Sequence, residues 1–369
     1  MNIGIDASRI ATEERSGTEN YTLQLLKAIL DKDKKNRYTL YFNKLPLFFE
    51  VTQENVSTRY IPLTYLWTQG RLSVECLLKP PDILFVPAHT IPVIRRPSMK
   101  TIVTIHDLGA EFLEAYHKFP QKIYLNWSTE YVGRSASHII AVSESTKKDL
   151  TNTLRVPEKR VSVVYEGVDH SFFYKRDTKE IENVRLKYGL KNKYLLFVGT
   201  IQPRKNLVRL IEAFAKLSPT KTDLVLVGRP GWLYDEIYKA PKRFGVSERV
   251  KFMGFASQDD LPALYSGSEA LVFPSLYEGF GLPIVEAMAC EAPVITSRSS
   301  SMPEVSGGNA LLIDPADVTD IAHNMIRILR EEDLRYRLAA KGSEWSKKFS
   351  WEKAAEETIK VFEKVYNEE

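Results

Sequence analysis

Residues 270–289 read ALVFPSLYEGFGLPIVEAMA, and the fold can be worked out from them. Ala270–Phe273 is a short, wholly apolar run that stops at Pro274, the mark of a buried strand. Gly279 and Gly281 then permit a tight turn with positive φ. Pro283 suits the first position of a helix, where its missing N–H costs nothing, and Met288 and Ala289 continue that helix. Strand, glycine loop and helix N-terminus follow one another without a break. Free N–H groups at such a helix start favour an anion or a sugar oxygen. Glu278 lies in the loop and Glu286 about one turn inside the helix, so both carboxylates can face one ligand from different elevations. Alone, they are as well explained as a surface glutamate and a helix-entry glutamate. The glycines and the proline between them point to a site.

The same grammar repeats outward. Apolar runs at 3–5, 38–42, 83–86, 101–105, 139–142 and 161–164 read as buried strands, with helical patterns between several of them. Tyr21, Leu25, Ala28 and Ile29 mark the apolar face of the first helix. A less regular stretch from about 166 to 190 reads as a linker. Six further strands then appear at 194–198, 224–227, 250–252, 270–273, 294–296 and 311–313. Apolar strands alternating with helices predict two α/β, doubly wound, Rossmann-like domains, 1–172 and 173–350, whose sheets face a common cleft. Ser350 caps a last amphipathic helix over 351–369.

A second loop has the logic of the first. The strand at 194–198 runs into Gly199–Thr200–Ile201–Gln202–Pro203–Arg204–Lys205–Asn206, and then into a helix burying Leu210, Ile211 and Phe214. Cations near a helix N-terminus oppose its dipole, so Arg204 and Lys205 fit a bound diphosphate better than a bare surface. In the first half, Ser16–Gly17–Thr18 is a short loop able to approach a phosphate, or a simple turn. His106–Asp107 and His89 stand at strand ends. Ser143–Glu144–Ser145 reads first as a helix cap. The mixed cluster Asp31–Lys32–Asp33–Lys34–Lys35 reads as a solvated helix end and not as a metal pair.

Composition narrows the classes. A hydrophobic share of 44% with 27% charged residues fits a globular chain, and a net charge of +4 gives no reason to expect nucleic acid. Cys76 and Cys290 lie far apart, without the spacing of a metal cluster, and are expected to be free buried thiols. MNIGID already has strand character and no apolar run reaches eighteen residues, so neither signal peptide nor membrane span is expected. No G-x-S-x-G elbow supports a Ser–His–Asp hydrolase.

Together these segments resemble family 4 of the retaining glycosyltransferases, which have the GT-B fold. The likeness runs through IHDL at 105–108, EGVD at 166–169, GTIQPRKN at 199–206 and EGFGLPIVEAMAC at 278–290. Ser16–Gly17 stands where family members often carry paired glycines, and the usual glycine near the end of the Glu286 helix is replaced around Cys290–Glu291–Ala292. No convincing Asp-x-Asp metal site appears, so a metal-independent transferase without a cofactor is expected; the resemblance implies that the second domain holds a nucleotide sugar and the first most of the acceptor, expected to be a saccharide or lipid-linked glycan. It implies that Glu286 binds the ribose, that Glu278 touches the transferred sugar, and that the amides of Phe280, Gly281 and Leu282 meet sugar or phosphate oxygens. Arg204 and Lys205 would neutralise the departing diphosphate, His106 would lie near the sugar and Gly17 near the phosphate. The last helix would pack back on the first domain. The 3–25 and 301–315 stretches look like bacterial mannosyltransferases, which makes GDP-mannose the first expected donor and UDP-glucose the second. A cytoplasmic protein of polysaccharide biosynthesis follows, with peripheral contact to the inner face of a membrane as a further expectation. A sugar-nucleotide 2-epimerase, a phosphorylase with a pyridoxal lysine and a non-catalytic two-lobed binding protein are the alternatives.

Overall fold

The structure, a computed structural model, describes residues 1–11, 17–46, 49–63, 66–108, 121–217 and 221–368. The chain divides into two compact units: Met1–Gly167 with Ser350–Glu369, and Val168–Phe349. The sequence reading set the break five residues later, at 172. Val168 N donates to the carbonyl of Phe349, the last residue of the second unit, so the chain joins that unit before Phe173.

The first unit is built on β1 (Asn2–Asp6), β2 (Arg37–Phe42), β3 (Val56–Tyr60), β4 (Ile83–Val86), β5 (Lys100–Ile105), β6 (His138–Ala141) and β7 (Val161–Val163). All pairings are parallel, in the order β3-β2-β1-β4-β5-β6-β7. The central strands β4 and β6 are buried at every position, which is why they read as unbroken apolar runs. β3 escaped the sequence reading. It is an edge strand, VSTRY, with no fully buried residue, so it carries no apolar run.

Helix Trp351–Asn367 belongs to this unit, capped by Ser350, whose Oγ accepts from Lys353 N. Trp351 meets the ring of Tyr21 at 5.8 Å and Phe362 that of Phe85 at 5.2 Å. Gly167 lets the chain pass: a Cβ there would stand 2.3 Å from the Trp351 amide nitrogen. The charge cluster after helix Gly17–Lys32 is not solvated throughout. Asp33 is buried, and its carboxylate accepts from the amides of Lys35 and Asn36, from Asn36 Nδ2 and from Tyr38 Oη, tying the helix end to β2.

The second unit holds β8 (Lys193–Val198), β9 (Thr222–Val227), β10 (Val250–Gly254), β11 (Ala270–Phe273), β12 (Val294–Ser297) and β13 (Leu311–Ile313), ordered β10-β9-β8-β11-β12-β13. All six were legible as apolar runs. The stretch read as a linker is part of this unit. Its helix Thr178–Lys187 starts in a capping box between Asp177 and Glu180. Cys76 and Cys290 are both buried free thiols.

Candidate active site

In each sheet the strand order reverses beside the first strand, between β1 and β4 and between β8 and β11. Ligands of open α/β sheets bind in the crevice at the carboxyl ends of such a pair. The two loops singled out in the sequence, 199–206 and 274–281, leave β8 and β11. Topology therefore brings them together, and side chains join them.

Glu278 is the junction. Its Oε1 lies 2.5 Å from Lys205 Nζ and its Oε2 3.0 Å from Arg204 Nη1, which also donates to the Tyr277 carbonyl at 3.0 Å. Glu278 is 8% exposed, Lys205 10% and Arg204 19%, so the three charges are held out of bulk water. Burial alone would push the Glu278 carboxyl up, but the two cations outweigh it and hold the group below its usual range. One carboxylate and two cations leave the triad with one net positive charge. Lys205 Nζ also sits 4.9 Å from the centre of the Phe273 ring, on the last residue of β11.

Asn206, in the left-handed region at φ 60°, sends Nδ2 to the carbonyls of Pro274 and Pro315, locking the β8 loop to the loops after β11 and β13. A run of serines from the last residue of β12 onward does the same for the glycine loop. The hydroxyl of Ser297 donates to Ser275 O, that of Ser299 to Leu276 O, and that of Ser301 to both Glu278 O and Phe280 O. Ser300 Oγ also donates to Glu278 O. The sequence reading missed both devices. The only signals were an Asn before a helix and the string Ser297–Arg298–Ser299–Ser300–Ser301.

Helix Leu282–Ala289 opens at Gly281, which has φ 104°. Gly281 and Leu282 are partly exposed, whereas the Phe280 ring is buried against Phe349 at 5.6 Å, so Phe280 can serve a ligand only through its backbone. Glu286, partly buried, accepts at Oε2 from Tyr265 Oη, 2.8 Å away. Burial and the neighbouring Glu286 push the Tyr265 phenol far up, so it stays a donor. Nothing in the sequence singled out Tyr265.

In the first unit the switch point opens into a pocket of about 480 Å³ whose lining includes Asp6, Arg9, Glu19, Asn43, Trp67 and Thr90. Trp67 is buried and donates to Ile61 O, whereas Trp127 is half exposed and stacks on Tyr131. Gly17 begins helix Gly17–Lys32, and no atom of the described residues lies within 4 Å of where its Cβ would stand; Ser16 lies outside those residues. His106 follows β5. Its Nδ1 is 3.0 Å from Glu166 Oε1 and its Nε2 3.1 Å from Pro87 O, so both ring nitrogens are engaged by the protein. Burial would lower its pKa, but the hydrogen bond and charge of Glu166 raise it above the ordinary value. His89, 5.7 Å away ring to ring, is pushed down to about 4 by burial and by His106. Ser143 is the helix cap read from the sequence, accepting from Thr146 N. Among the described residues no helix is long and apolar enough to cross a membrane.

Known proteins also divide the chain in two, between residues 172 and 178. The family described as Glycosyltransferase Family 4 matches residues 15–172, and that described as Glycosyl transferases group 1 matches residues 178–345. O-antigen chain mannosyltransferase B of Escherichia coli is 33% identical over 268 residues, which are 71% of this chain and 70% of that protein. The serotype-specific mannosyltransferase WbdA of Escherichia coli is 32% identical over 76% of this chain, a match spanning 34% of WbdA. Among solved structures, sucrose-phosphate synthase from Thermosynechococcus elongatus superposes with a TM-score of 0.78 at 20% identity, covering 99% of both chains.

Proposed function

Because the chain belongs to the family 4 and group 1 glycosyltransferases, a two-domain GT-B fold, we propose that it moves mannose, with retention of configuration, from GDP-mannose to a saccharide or lipid-linked glycan. The observation that carries this reading is the buried Glu278–Arg204–Lys205 triad at the switch point of the second unit. Its net positive charge suits a sugar diphosphate, and the mannosyltransferase relatives support the sugar. As the bond between anomeric carbon and phosphate breaks toward an oxocarbenium-like state, negative charge grows on the leaving diphosphate. Arg204, Lys205 and the amides of Phe280, Gly281 and Leu282 stabilise that charge more than they stabilise the bound donor. Glu286, oriented by Tyr265, takes the ribose hydroxyls. The acceptor hydroxyl attacks the face the diphosphate leaves, without a protein nucleophile. With the counter-charge supplied by side chains, the reaction needs neither metal nor cofactor.

The pocket of the first unit suits the acceptor: polar side chains line it beside Trp67. We place the protein in the cytoplasm, against the inner face of a membrane. Val74 and Leu78 are exposed on helix Ser73–Leu78 beside Arg71 and Lys79, and Arg96 Nε donates to Leu77 O, an apolar and basic surface suited to anionic lipid.

A thermal-shift screen of nucleotide diphosphates and their sugars tests the donor. GDP-mannose should raise Tm more than UDP-glucose, and transfer to a mannose-ended acceptor should persist in EDTA and give an α-linked product by NMR. Mannose epimerised at C2 without an acceptor would instead establish the epimerase. Unchanged donor after incubation with acceptor would favour a binding protein.

A further inference from the structure

Glu166, in the EGVD stretch, has no role in the reaction described so far, yet it is buried and in contact with one of the two histidines at the strand ends of the first unit. The His106 ring is 12% exposed and held by neighbours at both nitrogens. Nδ1 faces the Glu166 carboxylate and Nε2 faces the Pro87 carbonyl. The Tyr21 ring meets it edge-on at 4.5 Å, and His89 lies 5.7 Å away. A carbonyl oxygen can only accept, and so can an ionised carboxylate. A neutral imidazole has a single N–H, so either tautomer would turn a lone pair toward an acceptor. The doubly protonated ring satisfies both contacts.

We propose that Glu166 is a positioning residue that holds His106 as a fixed imidazolium, so that His106 serves the reaction as a standing positive charge and not as a proton carrier. The reaction part rests on the proposed function and on the family resemblance, which implies that His106 lies near the transferred sugar. The surrounding charges agree with it. Glu166 approaches from the segment after β7 and Asp107 from the histidine's own loop, both favouring the cation. His89, from the loop after β4, remains neutral beside it, with Arg9 and His106 both opposing its protonation. Tyr21, from helix Gly17–Lys32, is a phenol whose ionisation burial suppresses. Engaged at both nitrogens, the ring has no lone pair with which to accept the acceptor's proton.

The test is ring-nitrogen NMR of the full chain labelled with 15N-histidine, together with turnover across pH. At pH 7.5 one histidine should have both ring nitrogens protonated, and its signals should vanish in His106→Gln. Wild-type kcat should decline with rising pH along a limb that coincides with this titration. In Glu166→Gln the titration and the limb should both move down by about one unit or more. That leaves kcat a few-fold lower near neutral pH, approaching about tenfold on the alkaline side of the limb, and restored toward wild type in acid. A His106 ring with a single protonated nitrogen at pH 7.5 overturns the proposal, and so does a limb unmoved in Glu166→Gln. The wild-type spectrum and pH profile decide the matter even if the variant folds poorly. A wild-type chain that transfers no sugar overturns the proposed function and with it the reaction part, while the ring titration still decides the pairing.

Discussion

Arg204 and Lys205 are adjacent in sequence but not equivalent. Arg204 divides its planar fork between the Tyr277 carbonyl and Glu278, while Lys205 brings a compact charge to the other carboxylate oxygen and to the face of Phe273. With a diphosphate present, Lys205 can turn toward it at the expense of one hydrogen bond, and Arg204 still anchors the loop. Lys205→Ala should therefore lower kcat by about 10²–10³, the loss expected for one donor to a developing anion. Donor KM should change far less, and Arg204 should keep Glu278 paired and the chain folded. Steady-state kinetics check this, and a kcat near wild type would remove the diphosphate role. Both cations were legible in the sequence because a basic pair before a helix asks for an anion. Their carboxylate partner was not: the roughly seventy residues between them are brought together by neighbouring strands, and only the topology reveals it.

At the level of elements, the glycine loop was read correctly from its own residues, because strand, glycines, proline and helix are all local signals. What holds it was not legible. Hydroxyls from Ser297, Ser299 and Ser301 reach across from the next strand's loop, and a serine carries the same letter whether it faces water or a carbonyl. Edge strand β3 was lost for the converse reason, since a strand without a buried face shows no apolar pattern. The loop and Gly17 make a matched pair of tests. Gly281 has φ 104°, and a Cβ there would stand 3.2 Å from Ile284 Cδ1. Gly281→Ala should cost more than about 1 kcal/mol by urea unfolding. At Gly17 nothing among the described residues lies within 4 Å of the added carbon. Gly17→Ala should leave stability within about 0.5 kcal/mol of wild type. Any loss of turnover in that variant then reports a ligand's approach and not a damaged fold.

On the scale of the whole molecule, the alternation of strands and helices was enough to give two doubly wound sheets, since six apolar strand runs recur in each half. The point of division was less legible because the stretch read as a linker from about 166 to 190 is mostly part of the second unit. Helix Trp351–Asn367 leads to a prediction of its own. It buries Trp351, Val361, Phe362 and Val365, and packs on Tyr21 and Phe85 of the first unit. A chain ending at Phe349 should lose amide-exchange protection in β1, β4 and β5 while β8, β9 and β11 keep theirs. Equal loss in both units would contradict the assignment. The same helix sets an order of assembly on the ribosome. Domains usually fold in the order in which they are made. Here every residue of the second unit is synthesised before the helix that completes the first. The amino-terminal sheet must therefore wait, with the surface around Tyr21 and Phe85 uncovered, until about 180 residues of another unit have emerged. A ribosome that stalls within the second unit would leave that surface for a chaperone to cover.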